Sequence, residues 1–152
     1  MAERSVTHAT FSVERSYPAA PARVFAAWAD PVAKARWCPC HGEYSLDFRV
    51  GGREFTRGGE PGGPVFTTEV RFHDIVPGER IVYAYEVLQD DVRISVSIAT
   101  VEFQADGSGT RLVFTDQGAY LDGNDSSPQR EEGTQAGLDR LSAELEGALA
   151  GV

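Results

Sequence analysis

Hydrophobic and polar residues alternate along much of this chain, and a period of two is typical of β-strands with one buried face. The first alternation spans 10–17, where Phe11, Val13 and Arg15 share one side. The same pattern predicts further strands at 44–50, 53–57, 65–75, 80–88, 93–104 and 110–117. Within 93–104 the hydrophobic phase slips, which predicts a bulge or bend near Ala99 and Thr100.

Helices are predicted after the first strand and at the end of the chain. Pro21 fits a first helical turn, where its missing N–H has no intrahelical partner, and Asp30-Pro31 repeats the start signal for a helix that runs to about Trp37. A long helix is predicted to begin with Ser127-Pro128 as its N-cap and first position. Its apolar face follows a helical period and comprises Thr134, Leu138, Leu141, Leu145 and Leu149.

These elements predict an α+β fold in which a curved antiparallel sheet of six to seven strands wraps around the C-terminal helix. No repeat or linker interrupts the pattern, so we expect a single domain over 1–152 with its core at about 10–149. One helix is only about 10 Å across and cannot cover the concave face of such a sheet. We therefore expect a ligand cavity between sheet and helix, with tight packing by the chain's own side chains as the alternative.

The residues expected to line this cavity are aromatic, small or hydroxyl-bearing, a mixture typical of ligand sites. The predicted walls are Trp28, Trp37, Phe66, Val70, Tyr83, Tyr85, Leu112, Phe114 and Leu138. The predicted small and polar contacts are Thr68, Ser97, Ala99, Asp116 and Thr134. Gly133 and Gly137 each cost a helix interior roughly 1 kcal/mol relative to alanine, which predicts a close approach of sheet or ligand to the helix backbone.

Composition excludes several other classes of protein. The formal charge of −9 and the single lysine, Lys34, argue against a nucleic-acid partner, because that affinity comes mainly from clustered basic residues. The sequence has no run of eighteen apolar residues, so we expect no membrane-spanning helix. The N-terminus lacks the apolar core of a signal peptide. We expect a cytoplasmic protein. The sequence is compatible with a homodimer as well as with a monomer.

Asp116 is the candidate catalytic acid. It continues the phase of Leu112 and Phe114 and should therefore point inward, where a carboxylate needs a partner or a raised pKa. Tyr83, Tyr85 and Arg130 are the candidate partners. The alternative is an acid at a strand end that faces water or caps a turn.

The segment Cys38-Pro39-Cys40-His41 resembles a metal cluster at first sight. Its potential ligands are too close together for a tetrahedral zinc site and no second pair follows, so we predict reduced thiols in a turn, with redox sensitivity as an alternative. The glycine-rich loop at 58–64 lacks the Lys and Ser/Thr of a phosphate-binding loop, and no helix follows it. We therefore expect neither a metal nor a cofactor.

Several short motifs occur in a characteristic order, at 11–21, 24–31, 35–37, 47–52, 77–83, 109–112, 131–133 and 138–141. In these motifs the chain resembles proteins similar to the C-terminal domain of the heat-shock-protein-90 ATPase activator, in the START-like, birch-pollen-allergen-like (SRPBCC) superfamily. The resemblance implies a helix-grip fold over about 10–149. The family often carries Trp after the Glu-Glu-Gly of the long helix and His shortly before it, where this chain has Thr134 and Arg130. Loss of the large ring implies more room between helix and sheet.

Three functions follow as hypotheses. The first is a non-enzymatic protein that holds a small hydrophobic or aromatic molecule in the cavity. The second is a cyclase-like or hydrolytic enzyme that uses Asp116 with a tyrosine. The third, implied by the resemblance, is a bacterial protein-interaction domain that modulates a chaperone ATPase.

Overall fold

The computed structural model describes residues 3–38 and 42–150, without the side chains of 148–150. Seven strands and three helices are found in these residues. Their order is β1 (Val6–Tyr17), α1 (Pro21–Ala29), α2 (Pro31–Trp37), β2 (Gly42–Leu46), β3 (Arg53–Gly58), β4 (Phe66–Val76), β5 (Arg80–Gln89), β6 (Val92–Asp106), β7 (Gly109–Leu121) and α3 (Ser127–Ala150). The predicted α+β class and the order of elements are confirmed.

The strands form one curved antiparallel sheet in the order β1-β7-β6-β5-β4-β3-β2. Strands β2 to β7 pair with their neighbours in sequence, and β1 joins the open edge of β7, with Val13 opposite Phe114. Strand β5 is the central strand, α1 packs on the long strands β6 and β7, and α3 packs against β1.

The irregularity of β6 lies at Ile94 and not at Ala99-Thr100, so the predicted position of the bulge is wrong. Pairing with β5 is continuous from Arg80 opposite Glu102 to Val87 opposite Ser95, and then shifts to Leu88 opposite Arg93. The extra residue turns both Ile94 and Ser95 inward. After Ser95 every second residue faces inward, beginning with Ser97 and Ala99. Val96 and Ile98 lie on the outer face, where they are 43% and 49% exposed.

The short helices begin where the proline signals predict. The side chain of Asp30 accepts a hydrogen bond from the Val32 N–H at 3.3 Å and so caps α2. Helix α3 is capped one residue earlier than predicted, because it is the Ser126 hydroxyl that accepts from the Gln129 N–H, at 3.4 Å. No helix in the described ranges is long and apolar enough to cross a membrane.

Helix α3 packs on the sheet through its C-terminal half. Leu138, Leu141 and Leu145 are buried there as predicted, whereas the Leu149 side chain lies outside the described residues. The Tyr17 hydroxyl donates to the Leu138 carbonyl at 2.9 Å and ties α3 to β1. Toward the N-terminal half, a Cβ built on Gly133 would meet no atom within 4 Å. The helix backbone therefore stands away from the sheet at this point.

Candidate functional site

A cavity of about 350 Å³ lies where α3 stands away from the sheet. Strands β3, β4, β5 and β7 form its floor, and α1, α2 and α3 enclose it. Its lining consists of Trp28, Lys34, Trp37, Cys38, Glu54, Thr56, Thr68, Val70, Tyr83, Tyr85, Val87, Phe114, Arg130, Gly133, Thr134, Gly137, Leu138 and Arg140. A depression of about 400 Å³ on the opposite face of the sheet is lined mainly by charged side chains, including Arg53, Glu69 and Arg71. The inner cavity is the better apolar site.

Most of the residues proposed from the sequence as ligand contacts meet at this cavity. Those in its lining are Trp28, Trp37, Thr68, Val70, Tyr83, Tyr85, Phe114, Thr134 and Leu138. Ser97, Ala99, Leu112 and Asp116 point inward but lie at most 2% exposed behind the wall. Phe66 is the exception, since it begins β4 beyond the cavity, is 42% exposed and lines a neighbouring hollow near the start of α3.

Aromatic rings form the walls. The Trp28 and Trp37 rings meet edge to face with centroids 4.8 Å apart, and the Trp37 indole N–H donates to the Ala27 carbonyl at 2.9 Å. Trp28 also stacks near Phe114, with centroids 6.4 Å apart. These ring contacts hold the aromatic side chains against one another along one wall of the cavity.

One end of the cavity carries a buried ion pair that the sequence analysis missed. Lys34 Nζ lies 2.9 Å and 3.2 Å from the two carboxylate oxygens of Glu54, and the side chains are 6% and 9% exposed. The Tyr44 hydroxyl donates to the same carboxylate at 2.8 Å. Burial, the largest single influence, lowers the pKa of Lys34, but the charge of Glu54, the interaction with Cys38 and the hydrogen bond to Glu54 together outweigh it, and the pKa is raised. The ammonium group therefore stays charged at neutral pH.

The position of Lys34 in the sequence could have indicated a buried lysine that needs a partner. It is the only lysine of the chain and lies on the buried face of α2 together with Ala33 and Trp37. Its Nζ also lies over the rings of Trp28 and Trp37, 5.1 Å and 5.3 Å from their centroids. Nothing in the local sequence points to Glu54 as the partner, because that contact joins α2 to β3.

The other end of the cavity contains Asp116, Tyr85 and Arg130. Asp116 is fully buried, so the inward orientation is confirmed and the solvent-facing alternative is wrong. The Tyr85 hydroxyl donates to Asp116 Oδ2 at 2.5 Å and accepts from Arg130 Nη1 at 3.1 Å. Arg130 thus reaches Asp116 through the tyrosine; Tyr85 and Arg130 line the cavity, whereas Asp116 lies behind its wall.

Burial sets the proton affinities of this cluster. It raises the pKa of Asp116, against the lowering effect of the Tyr85 hydrogen bond and the Arg130 charge. Burial also raises the pKa of Tyr85 and of Tyr83 well above 10, so both phenols are protonated at neutral pH. Arg130 is held in turn by an ion pair with Asp125 and by a hydrogen bond to the Ser95 hydroxyl. The arrangement presents neutral phenols, and no bare carboxylate, to an occupant.

Several hydroxyl groups of the lining are not engaged by the protein. Within residues 3–38 and 42–150, no hydrogen bond joins the side chains of Tyr83, Thr56, Thr68 or Thr134 to another group. These groups can each donate and accept. A few such groups on a largely aromatic wall can orient a small polar substituent.

The described part of the chain contains no group of three His, Cys, Asp or Glu side chains able to hold a metal ion. Of the cysteine-rich segment singled out in the sequence, Cys38 lies at the cavity, while Pro39, Cys40 and His41 fall outside the described residues.

Comparison with known proteins gives consistent matches. The model of the family described as "Activator of Hsp90 ATPase homolog 1-like protein" matches residues 18–150. The Mll3558 protein from Rhizobium loti is 47% identical, with a TM-score of 0.88 over 92% of this chain and 99% of that chain. A protein from Rhizobium leguminosarum is 44% identical, with a TM-score of 0.90 over 95% and 98%.

A more distant likeness extends to DynU16, a protein of the dynemicin biosynthetic locus. It is 21% identical, with a TM-score of 0.70 over 90% of this chain and 47% of that chain, and it shows a shared fold. Among curated proteins, none matches this sequence.

Proposed function

This chain belongs to the family of activator of Hsp90 ATPase homolog 1-like proteins, and from that premise we propose that it binds a small hydrophobic or aromatic molecule between its sheet and α3. A shared fold hosts many functions, so the proposal rests on the site and not on the family. The observation that carries it is the cavity of about 350 Å³, which is within the usual range of ligand sites.

The lining supports an aromatic occupant. Trp28, Trp37 and Phe114 offer ring faces and edges, and burial of apolar ligand area against such walls contributes about 25 cal/mol per Å². The unengaged hydroxyls of Thr68 and Tyr83 supply contacts for a polar substituent. Thr134 and the glycines beside it leave open the space beneath α3, where a larger side chain would intrude.

The position of the candidate acid supports binding over catalysis. Asp116 is 0% exposed and lies behind the wall, so an occupant of the cavity meets Tyr85 and not the carboxylate. A general acid or base must come within hydrogen-bond reach of the reacting group. Asp116 therefore acts here by orienting Tyr85.

The test uses N-phenyl-1-naphthylamine, a neutral apolar probe whose fluorescence increases in a dry environment. We expect the wild-type protein to bind it at micromolar concentration and Thr134→Trp to weaken binding at least tenfold, because the indole fills the space beneath α3. Gln135→Trp is the matched control, since Gln135 is the exposed neighbour of Thr134 on the same helix. Absence of binding to the wild type, or equal weakening by both substitutions, would refute the proposal.

A cyclase-like or hydrolytic activity is the second candidate, and the hydrogen bond between Tyr85 and the buried Asp116 is the observation that favours it. In that case Asp116 would position the phenol before the reaction, and Tyr85 would then transfer its hydroxyl proton from that hydrogen bond to the substrate, leaving a phenolate that the Arg130 guanidinium stabilises. Tyr85→Phe and Asp116→Asn should then each lower turnover at least a hundredfold while leaving probe affinity nearly unchanged. Unchanged turnover in both variants would remove this candidate. Chaperone modulation and homodimer formation remain predictions from the sequence.

A further inference from the structure

Four charged side chains line the cavity, and three of them are neutralised by the protein itself. Lys34 and Glu54 bind each other. Arg130 pairs with Asp125 and also donates to Tyr85 and Ser95. The fourth is Arg140, on the same face of α3 as Gly133 and Gly137.

Arg140 is positioned but not neutralised. Its Nε donates to the Trp37 carbonyl at 2.9 Å, which holds the guanidinium against the end of α2. Considering only the residues that the structure describes, no carboxylate lies within 4 Å of this guanidinium, and neither Nη group makes a hydrogen bond. Two parallel N–H donors in a fixed plane match the geometry of a carboxylate or sulfonate.

Gly137 leaves space beside this guanidinium. It lies one turn before Arg140, and a Cβ built on it would meet only Arg140 Nη2, at 3.7 Å. A larger residue at 137 would therefore contact the guanidinium and occupy space beside it. The glycine costs the helix roughly 1 kcal/mol relative to alanine, a cost that makes sense where an occupant needs to reach the arginine.

We infer that the cavity selects aromatic anions, with the rings of the ligand against the aromatic wall formed by Trp28, Trp37 and Phe114 and its negative group on Arg140. The inference rests on the proposed binding function and adds the class of ligand. The remaining surface disfavours anions in general, because the chain carries a formal charge of −9. A ligand that carries both rings and a carboxylate or sulfonate satisfies both parts of the lining at once.

Two probes with the same ring systems separate the inference from the function on which it rests. These are 8-anilinonaphthalene-1-sulfonate and the neutral N-phenyl-1-naphthylamine, which lacks the sulfonate. We expect wild-type protein to bind the anionic probe more tightly than the neutral one, by roughly tenfold for one charge-assisted pair. Added sodium chloride should reduce this preference, because Arg140 is exposed and screened by salt.

Arg140→Gln should abolish the preference and leave the affinity for the neutral probe within about twofold. Arg140→Lys, which keeps the charge but not the planar fork, should retain part of it. Arg71→Gln is the matched control. It removes the same charge from an exposed arginine that also makes one hydrogen bond to a carbonyl, that of Gly51, on the opposite face of the sheet.

The outcomes are distinguishable. If the neutral probe fails to bind wild-type protein, the proposed function itself fails. If the neutral probe binds but the anionic probe has no higher affinity, the cavity binds ligands without selecting anions and the inference is overturned. The inference is also overturned if Arg140→Gln and Arg71→Gln reduce the higher affinity for the anionic probe equally. Persistence of the neutral-probe affinity in Arg140→Gln also shows that the variant is folded.

Discussion

Replacement of Lys34 by methionine should destabilise the fold far more than loss of any surface arginine. The substitution keeps the length of the side chain and removes its charge, so the buried carboxyl group of Glu54 loses its cation. Both partners are less than a tenth exposed, and the two Nζ–carboxylate contacts are 2.9 Å and 3.2 Å long.

The expected cost is about 3–5 kcal/mol, the range for breaking a buried pair by removal of one member. At a length of 152 residues, each 1 kcal/mol lowers the melting temperature by roughly 2–4 °C, so Lys34→Met should lower it by about 6–20 °C. Arg111→Met is the control. Its pair with Glu14 has side chains 45% and 55% exposed, and loss of such a pair costs at most about 1 kcal/mol.

The restoring variant follows from the same contacts. Tyr44 donates to Glu54, so the matched apolar replacement of the group is Lys34→Met with Glu54→Leu and Tyr44→Phe. Removal of all the buried polar groups together is often neutral or stabilising, and we expect this triple variant to recover most of the lost stability.

Urea unfolding followed by tryptophan fluorescence measures the effect, because Trp28 and Trp37 both lie next to Lys34. A loss below about 1 kcal/mol in Lys34→Met would refute the reasoning, since it would mean that water reaches Glu54. A triple variant no more stable than Lys34→Met would show that the pair contributes through something other than mutual neutralisation.

Two further predictions concern proton binding. Burial raises the pKa of Asp116 above its ordinary 3.8, so the folded state binds the carboxyl proton more tightly than the unfolded state does. As pH rises above about 4, ionisation of Asp116 therefore favours the unfolded state, and the residue destabilises the fold. The melting temperature of Asp116→Asn minus that of wild type should therefore increase from below about pH 4 to neutral pH, and a constant difference would contradict this. Burial also raises the pKa of every tyrosine above the ordinary 10, namely of Tyr17, Tyr44, Tyr83, Tyr85 and Tyr120. Tyrosinate absorbance should accordingly be nearly absent at pH 10 and rise only together with loss of circular dichroism, whereas titration near 10 in the folded state would show that the phenols are solvated.

Local patterns in the sequence were enough to predict the elements of this fold. A period of two needs no partner strand to be recognised, and a proline at a helix start acts within one turn, so both α1 and α2 begin where Pro21 and Asp30-Pro31 indicate. The same periodicity placed Asp116 on the inner face, because β7 is regular up to that residue.

Local patterns failed where burial depends on a partner from another element. Phe66 continues the inward phase of β4, but it begins the strand beyond the cavity and is 42% exposed beside a separate hollow at the start of α3. In β6 the position of the irregularity also depends on the partner strand: the extra residue lies at Ile94, and beyond it Val96 and Ile98 face outward although they are apolar.

The charged groups of the cavity show the same division between local and distant information. A lysine or a glutamate taken alone is assigned to solvent, and only the packing of α2 on β3 brings Lys34 to Glu54 and makes their burial favourable. Arg130 was a candidate partner of Asp116, but the path through Tyr85 and the ion pair with Asp125 depend on how α3 crosses the sheet. The tertiary structure alone decides which charges are neutralised and which, like Arg140, remain for a ligand, because electrostatic pairing acts through space between residues far apart in the chain.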